Sequence, residues 1–262
     1  MTADVSAGAG TATAAPATAE RPRIDRQLIA VPIIVVVGLA LVFAYLSTQT
    51  LDSVEQRALD PANVRDRLVE HLYLTALSTV IVIAAAIPLG IVLSRPALRR
   101  VQPGVLSFSG FMQALPPFGV IILLAFTPLG FGPTTAILAL VLASFLPVLT
   151  NTVVGLRQVD SALVEAARGV GMSARQTLWR IELPLAVPVM VAGVRIALVL
   201  NVGTATLATY IGAGGLGNII DGMLRLGRPN ATLVAAALVA ALALLIDWLA
   251  GVAEYLVIRR SR

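Results

Sequence analysis

The sequence predicts an all-α membrane protein, a polytopic bundle of about six transmembrane helices. Three observations predict it. Hydrophobic residues make up 58% of the chain and charged residues 13%, with a mean hydropathy of +0.90, so the charged share is about half that of a water-soluble domain. Apolar runs close to the ~20 residues that cross a hydrocarbon core recur along the chain, and helices satisfy every backbone polar group without water. The arginines cluster in the intervals between those runs, mostly on one side, as the charge asymmetry of membrane proteins requires.

Residues 1–20, "MTADVSAGAGTATAAPATAE", are rich in Ala, Thr, Gly and Pro and lack an apolar period. Together with the basic stretch that follows, they predict a disordered cytoplasmic tail over 1–27. Arg21, Arg23 and Arg26 abut a run long enough to span, which reads as an uncleaved start rather than a signal peptide. Spans are expected over 28–46, 72–93, 105–126, 134–149, 185–205 and 231–255. The third carries Pro116 and Pro117, so a kink or break is expected there, and Pro147 interrupts the fourth near its end. With the N-terminus inside, the cytoplasmic pieces hold Arg21, Arg23, Arg26, Arg95, Arg99, Arg100, Arg157, Arg168, Arg175, Arg180, Arg259, Arg260 and Arg262. The other side holds Arg57, Arg65, Arg67, Arg225 and Arg228. Both termini are therefore expected to be cytoplasmic.

Composition also excludes chemistry. The chain has no cysteine and one histidine, His71, which removes thiolate sites and leaves no ligand set for a metal. No catalytic residue, metal or cofactor is expected. The basic balance, +5, is spread in short groups between spans and does not read as a nucleic-acid surface. His71 is expected at the membrane interface, at the outer start of the second span. Phe111, Phe118 and Phe145 read as core or lipid-facing residues.

The most informative interval follows the fourth span: "LRQVDSALVEAARGVGMSARQTLWRIELPLAVP", residues 156–188. Asp160 or Ser161 caps a short helix that runs to Arg168, Gly169 and Gly171 break it, and Ser173 with Gln176 forms a capping box for a second helix. Pro184 marks re-entry into the membrane. Two short amphipathic helices about a glycine elbow make a surface knob.

Within it, Glu165-Ala166-Ala167, Gly171, Ile181 and Leu183-Pro184 stand at the spacing of the EAA signature. The chain thereby resembles the permeases of ABC importers, with the type I, MetI-like fold. The stretches "HLYLTALSTVIVIAAAIPLGIVLSR", "QALPPFGVIILL", "LPVLTNTVVGLRQVD" and "GVRIALVLNVGTATLATYIGAGGLGNII" look like permeases of osmoprotectant uptake systems, which import glycine betaine, choline, carnitine or proline betaine. "QALPPFG" departs from the family pattern, and the tail and first span fall outside the match. The resemblance implies a permease domain over 28–262 in a bacterial inner membrane, with a coupling loop at about 156–184 that docks on a separate cytoplasmic ATPase. It also implies an extracytoplasmic substrate-binding protein and a second permease subunit, identical or paralogous. Rival readings are an importer for methionine or another small solute, and an ion-coupled secondary transporter. The latter should carry ionisable residues along its path, and mid-span charges here are nearly confined to Arg195 and Asp247.

By family position and polarity, Asn151, Thr152, Arg195, Asn201, Thr204 and Thr206 are candidates for the translocation path, although small hydroxyls equally serve helix packing. Arg195 either packs against a partner such as Asp247 or acts as a barrier to cations in the pore. "YIGAGGLGN" contains the G-x-G-x-x-G spacing at Gly212, Gly214 and Gly217. A dinucleotide turn needs a preceding strand and an acid about 20 residues on, and neither is present. Gly212, Gly214, Gly215 and Gly217 instead turn the chain at the outer face, where they are candidates for the outer gate or for contact with the binding protein.

Overall fold

The computed structural model describes residues 24–260, and they form helices and turns without a strand. Of the tail expected over 1–27, residues 1–23 lie outside the described residues and 24–27 are helical. The first helix, α1 (Ile24–Ser47), begins at Ile24 rather than at 28. After it come α2 (Ser53–Ala58), α3 (Pro61–Leu93), α4 (Gln102–Ala114), α5 (Pro117–Ala125) and α6 (Pro133–Arg157). The remainder is α7 (Ser161–Gly169), α8 (Ala174–Thr177), α9 (Leu183–Ala205), α10 (Gly217–Arg225) and α11 (Pro229–Arg260). Five helices are long and apolar enough to cross a membrane, and α4 with α5 supplies a sixth span if the bent pair is counted as one.

The centre of the bundle is α3, α6 and α9. In α3 the buried positions His71, Leu74, Thr75, Ser78, Thr79, Val82, Ala86, Gly90 and Leu93 follow a helical period, so one stripe of the helix meets its neighbours. Asp60 caps its start by accepting from Ala62 N–H at 2.9 Å, with Pro61 at the first helical position, where a missing N–H costs nothing. Where α6 crosses α3 and α9, small residues bring the backbones together. A Cβ on Gly90 would stand 2.7 Å from the Thr152 side chain, and one on Gly193 2.6 Å from Asn151 Cβ. Such crossings suit a membrane, where close packing must do what the hydrophobic effect does in water. The peripheral α1 lies against α11, joined by a hydrogen bond from the Tyr45 hydroxyl to Asn230 at 3.3 Å.

Three details differ from or sharpen the sequence reading. Pro116 and Pro117 break the third span outright, with a 91° bend between α4 and α5. Pro147 does not interrupt α6, which continues unbroken to Arg157. A proline removes one N–H, and tight packing on both sides holds the helix through the gap, while Asn151 Nδ2 donates to the Pro147 carbonyl at 2.8 Å. His71 faces the protein interior. It is fully buried, well inside α3, which begins at Pro61, and its Nε2 lies 3.0 Å from the Val202 carbonyl on α9.

Candidate functional site

The knob between α6 and α9 is built from local signals. The Asp160 carboxylate accepts from Ala162 N–H at 2.9 Å and opens α7. Gly171 then adopts φ +86°, a left-handed conformation that a Cβ disfavours, so Met172 N–H can return to the Ala167 carbonyl at 3.0 Å. The capping box is present on both sides: Ser173 N–H donates to Gln176 Oε1 at 2.8 Å, and Gln176 N–H to Ser173 Oγ at 3.3 Å. The second helix is not a separate element as expected. It passes through a π-helical turn, Leu178–Glu182, into α9, and Leu183 N–H reaches back to the Leu178 carbonyl.

Folded this way, the knob surrounds a groove of about 470 Å³ lined by Leu163, Ala166, Ala167, Val170, Met172, Arg180, Ile181, Pro184 and Leu185. Four signature residues, Ala166, Ala167, Ile181 and Pro184, therefore share one wall although they are far apart in sequence. Gly171 forms the elbow above them. Leu183 faces the other way and packs with Leu156, Ala186 and Met190 at the foot of the bundle. Glu165 is exposed on α7. Val170 is 81% exposed, and Leu163 and Trp179 are also open. Exposed apolar surface of this kind is what interaction sites present.

At the opposite end of α9, a 3₁₀ turn Thr206–Ile211 ends on Gly212 at φ +68°. Gly214 and Gly215 follow at φ +91° and +92°. Gly215 N–H donates to Glu70 Oε2 at 2.8 Å, and a Cβ on Gly214 would stand 2.9 Å from the carboxyl carbon. Arg67 pairs with the same carboxylate at 2.9 Å. At Gly217 a Cβ would enter the van der Waals shell of the Thr206 carbonyl. These glycines thus admit a carboxylate of α3 and a close chain crossing.

Most of the polar residues flagged on the path make local or interhelical bonds. Thr152 donates to the Val148 carbonyl at 2.7 Å and is buried. Asn201 Nδ2 donates to Thr79 Oγ1 at 2.9 Å across the α3–α9 interface. Thr206 donates to the Gly203 carbonyl at 2.7 Å, and Thr204 is partly buried one turn from Asn201. Arg195 holds Asp247 in a fork, Nε to Oδ1 at 2.6 Å and Nη2 to Oδ2 at 2.7 Å, and reaches Glu254 at 3.3 Å. That is the packing partner the sequence suggested, with a second acid about two turns further along the same face of α11. Phe145 packs on the core, Phe111 is exposed, and Phe118 meets Tyr210 edge-on at 4.9 Å. Among the described residues no group of His, Asp and Glu side chains could hold a metal ion.

Sequence reasoning missed Glu70, whose role exists only once the glycine turn folds over it. It also missed the pair Arg95–Glu182, 2.6 Å apart with the acid side chain 8% exposed. The available signal was an acid set between Ile181 and Leu183 at the edge of an apolar run.

Comparison with known proteins adds the following. Residues 86–258 match the family described as binding-protein-dependent transport system inner membrane component. The chain is 39% identical over 186 residues to the glycine betaine/carnitine/choline transport system permease protein OpuCB of Bacillus subtilis, covering 71% of this chain and 84% of that one. It is 38% identical over 224 residues to the osmoprotectant import permease protein OsmY of Salmonella typhimurium, covering 86% of this chain and 92% of that one. Among solved structures, the MetNI methionine ABC transporter in an inward-facing conformation gives a TM-score of 0.67 at 22% identity, over 74% of this chain and 95% of that one. An amino acid ABC transporter solved with histidines gives 0.65 at 17% identity, over 79% and 99%. Both share its fold.

Proposed function

Because the chain belongs to the family of binding-protein-dependent transport system inner membrane components, we propose that it is the permease subunit of an ABC importer for quaternary amine osmoprotectants such as glycine betaine, choline, carnitine or proline betaine. The observation that carries the cargo is the identity of 38–39% to curated osmoprotectant permeases over most of both chains. In this reading a cytoplasmic ATPase seats on the knob, an extracytoplasmic binding protein delivers the solute, and a second permease subunit completes the pore. The chain performs no covalent chemistry, and ATP is hydrolysed on the partner. Both termini lie in the cytoplasm of a bacterial cell, on the arginine-rich side.

The geometry of the knob supports the mechanical half of this reading. Small Ala166 and Ala167 leave room for a partner's side chains at the groove, and exposed Glu165 offers a charge for a basic residue of the ATPase. α8 continues through the π turn into α9, so displacement of the knob would move a membrane-crossing helix as a lever. The glycine turn and Asn151, Asn201, Thr204 and Thr206 would belong to the side that opens and closes.

The test is uptake of labelled glycine betaine in cells lacking other osmoprotectant carriers, with this chain expressed beside its ATPase and binding protein. Uptake should require the ATPase and be suppressed by excess choline or carnitine, not by methionine. Competition by methionine alone would transfer the cargo to the amino-acid class, and uptake surviving loss of the ATPase would remove the importer reading altogether.

A further inference from the structure

The foot of the knob carries an ion pair that the signature does not contain. Glu182 lies in the π turn that joins α8 to α9, and its side chain is 8% exposed. A carboxylate so deeply placed needs a fixed cation. That cation is Arg95, just past the end of α3, at 2.6 Å from Nη2 to Oε2. The same guanidinium uses Nε to cap α3, donating to the Ile91 carbonyl at 3.2 Å, where the helix dipole favours positive charge. One arginine therefore ties the last turn of α3 to the first membrane-entering turn after the knob, 87 residues away in sequence.

The π turn decides whether that tie is possible. Its i→i+5 bond inserts an extra residue into the helix, which changes the facing of α8 relative to α9. Glu182 and Leu183 then point at the bundle while Ile181 and Pro184 line the groove. At the far end α3 is again bonded to α9, through His71 to the Val202 carbonyl at 3.0 Å and Asn201 to Thr79 at 2.9 Å. The two helices are fastened at both ends, and only the lower fastening adjoins the knob.

We propose that the Arg95–Glu182 pair is a coupling strut, through which movement of the knob is passed sideways to α3 as well as along α9. Both act as positioning residues, through their bond to each other and the bond of Arg95 to the Ile91 carbonyl. The inference rests on the importer reading and would be tested in the complete transporter, reconstituted with its ATPase and binding protein, by measuring glycine betaine imported per ATP hydrolysed. Measured on the transporter that assembles, Glu182→Gln and Arg95→Gln should each lower that ratio about tenfold, and the exchange Arg95→Glu with Glu182→Arg should recover at least a third of it. Single variants that keep the wild-type ratio would overturn the strut. Wild-type protein with no nucleotide-dependent import would instead overturn the importer reading.

A second measurement is independent of those variants. The chain has no cysteine, so spin labels can be placed on Arg99→Cys, beyond the end of α3, and Arg175→Cys, on α8, both at exposed positions. The strut requires their separation to stay constant between nucleotide-free and ATP-bound complexes. A change above about 5 Å, one helical turn's rise, would show that the knob moves without α3 and refute the proposal.

Discussion

Replacing Arg195 by alanine removes the cation between two acids on α11. In the wild-type chain the guanidinium makes a two-pronged contact with Asp247, at 2.6 and 2.7 Å, and a third bond to Glu254 at 3.3 Å. These side chains are about one-third exposed or less in the isolated subunit, but the surroundings are spans of high hydropathy. Breaking a desolvated pair by deleting one partner costs about 3–5 kcal/mol, because the remaining charge is uncompensated. Partial exposure places Arg195→Ala at the lower end, about 3 kcal/mol, or about a hundredfold in the ratio of folded to unfolded chain. Gly251 lies against the same guanidinium, since a Cβ there would meet it at 3.2 Å, so the two helices approach each other around this arginine. The assay is the amount of chain in the membrane fraction and its thermal midpoint in detergent, beside the ratio of choline to betaine uptake. Arg195→Ala should lower the first two strongly and leave the ratio unchanged. Adding Asp247→Ala should cost less than the two single losses combined, because the first change has already broken the pair. Normal membrane levels with an altered choline-to-betaine ratio would refute this reasoning and make Arg195 a pore residue.

Gly217→Ala should destabilise the glycine turn after α9 by about 1–3 kcal/mol through overpacking, because its Cβ would press on the Thr206 backbone, with the carbonyl carbon 2.8 Å away. Gly222→Ala in the same helix meets nothing within 4 Å and should be neutral or stabilising by up to about 1 kcal/mol; limited proteolysis of the folded chain separates the two. Gly171→Ala, at φ +86° with open space around it, should cost about 1–2 kcal/mol of backbone strain and lower import without lowering membrane levels, read by uptake and immunoblot together. The Asp52 carboxyl is held below its usual range, first by the Glu55 N–H and then by Arg228 and the Val54 N–H, against a desolvation that opposes them. Its capping of α2 is therefore complete above the ordinary carboxylate value and lost as pH falls through the lower folded-state value. Hydrogen exchange at the Val54 and Glu55 amides should accelerate over that acidic window, and Asp52→Asn, which still caps, should abolish the pH dependence.

Several parts of the molecule were legible in the residues because short-range chemistry decides them. Run length against bilayer thickness predicted the spans, the double proline predicted the break between α4 and α5, and Asp160, Gly171, Ser173 and Gln176 predicted each corner of the knob. All of these depend on neighbours within a few positions, and they form the same way wherever the rest of the chain lies. The EAA spacing is also local, so the family could be recognised before any contact was known.

Other features depend on which helices face each other, and only the tertiary structure decided them. His71 reads only as a polar residue at the start of a span until the fold buries it against the Val202 carbonyl. Pro147 reads as a stop until packing on α3 and α9 carries α6 through it. Glu70 on Gly215, Arg95 on Glu182, and Arg195 between Asp247 and Glu254 join residues far apart in sequence. For Glu182 and Arg195, a charge at the edge of an apolar run must find its partner across helices, and for none of the three does sequence alone specify which helix or turn supplies it.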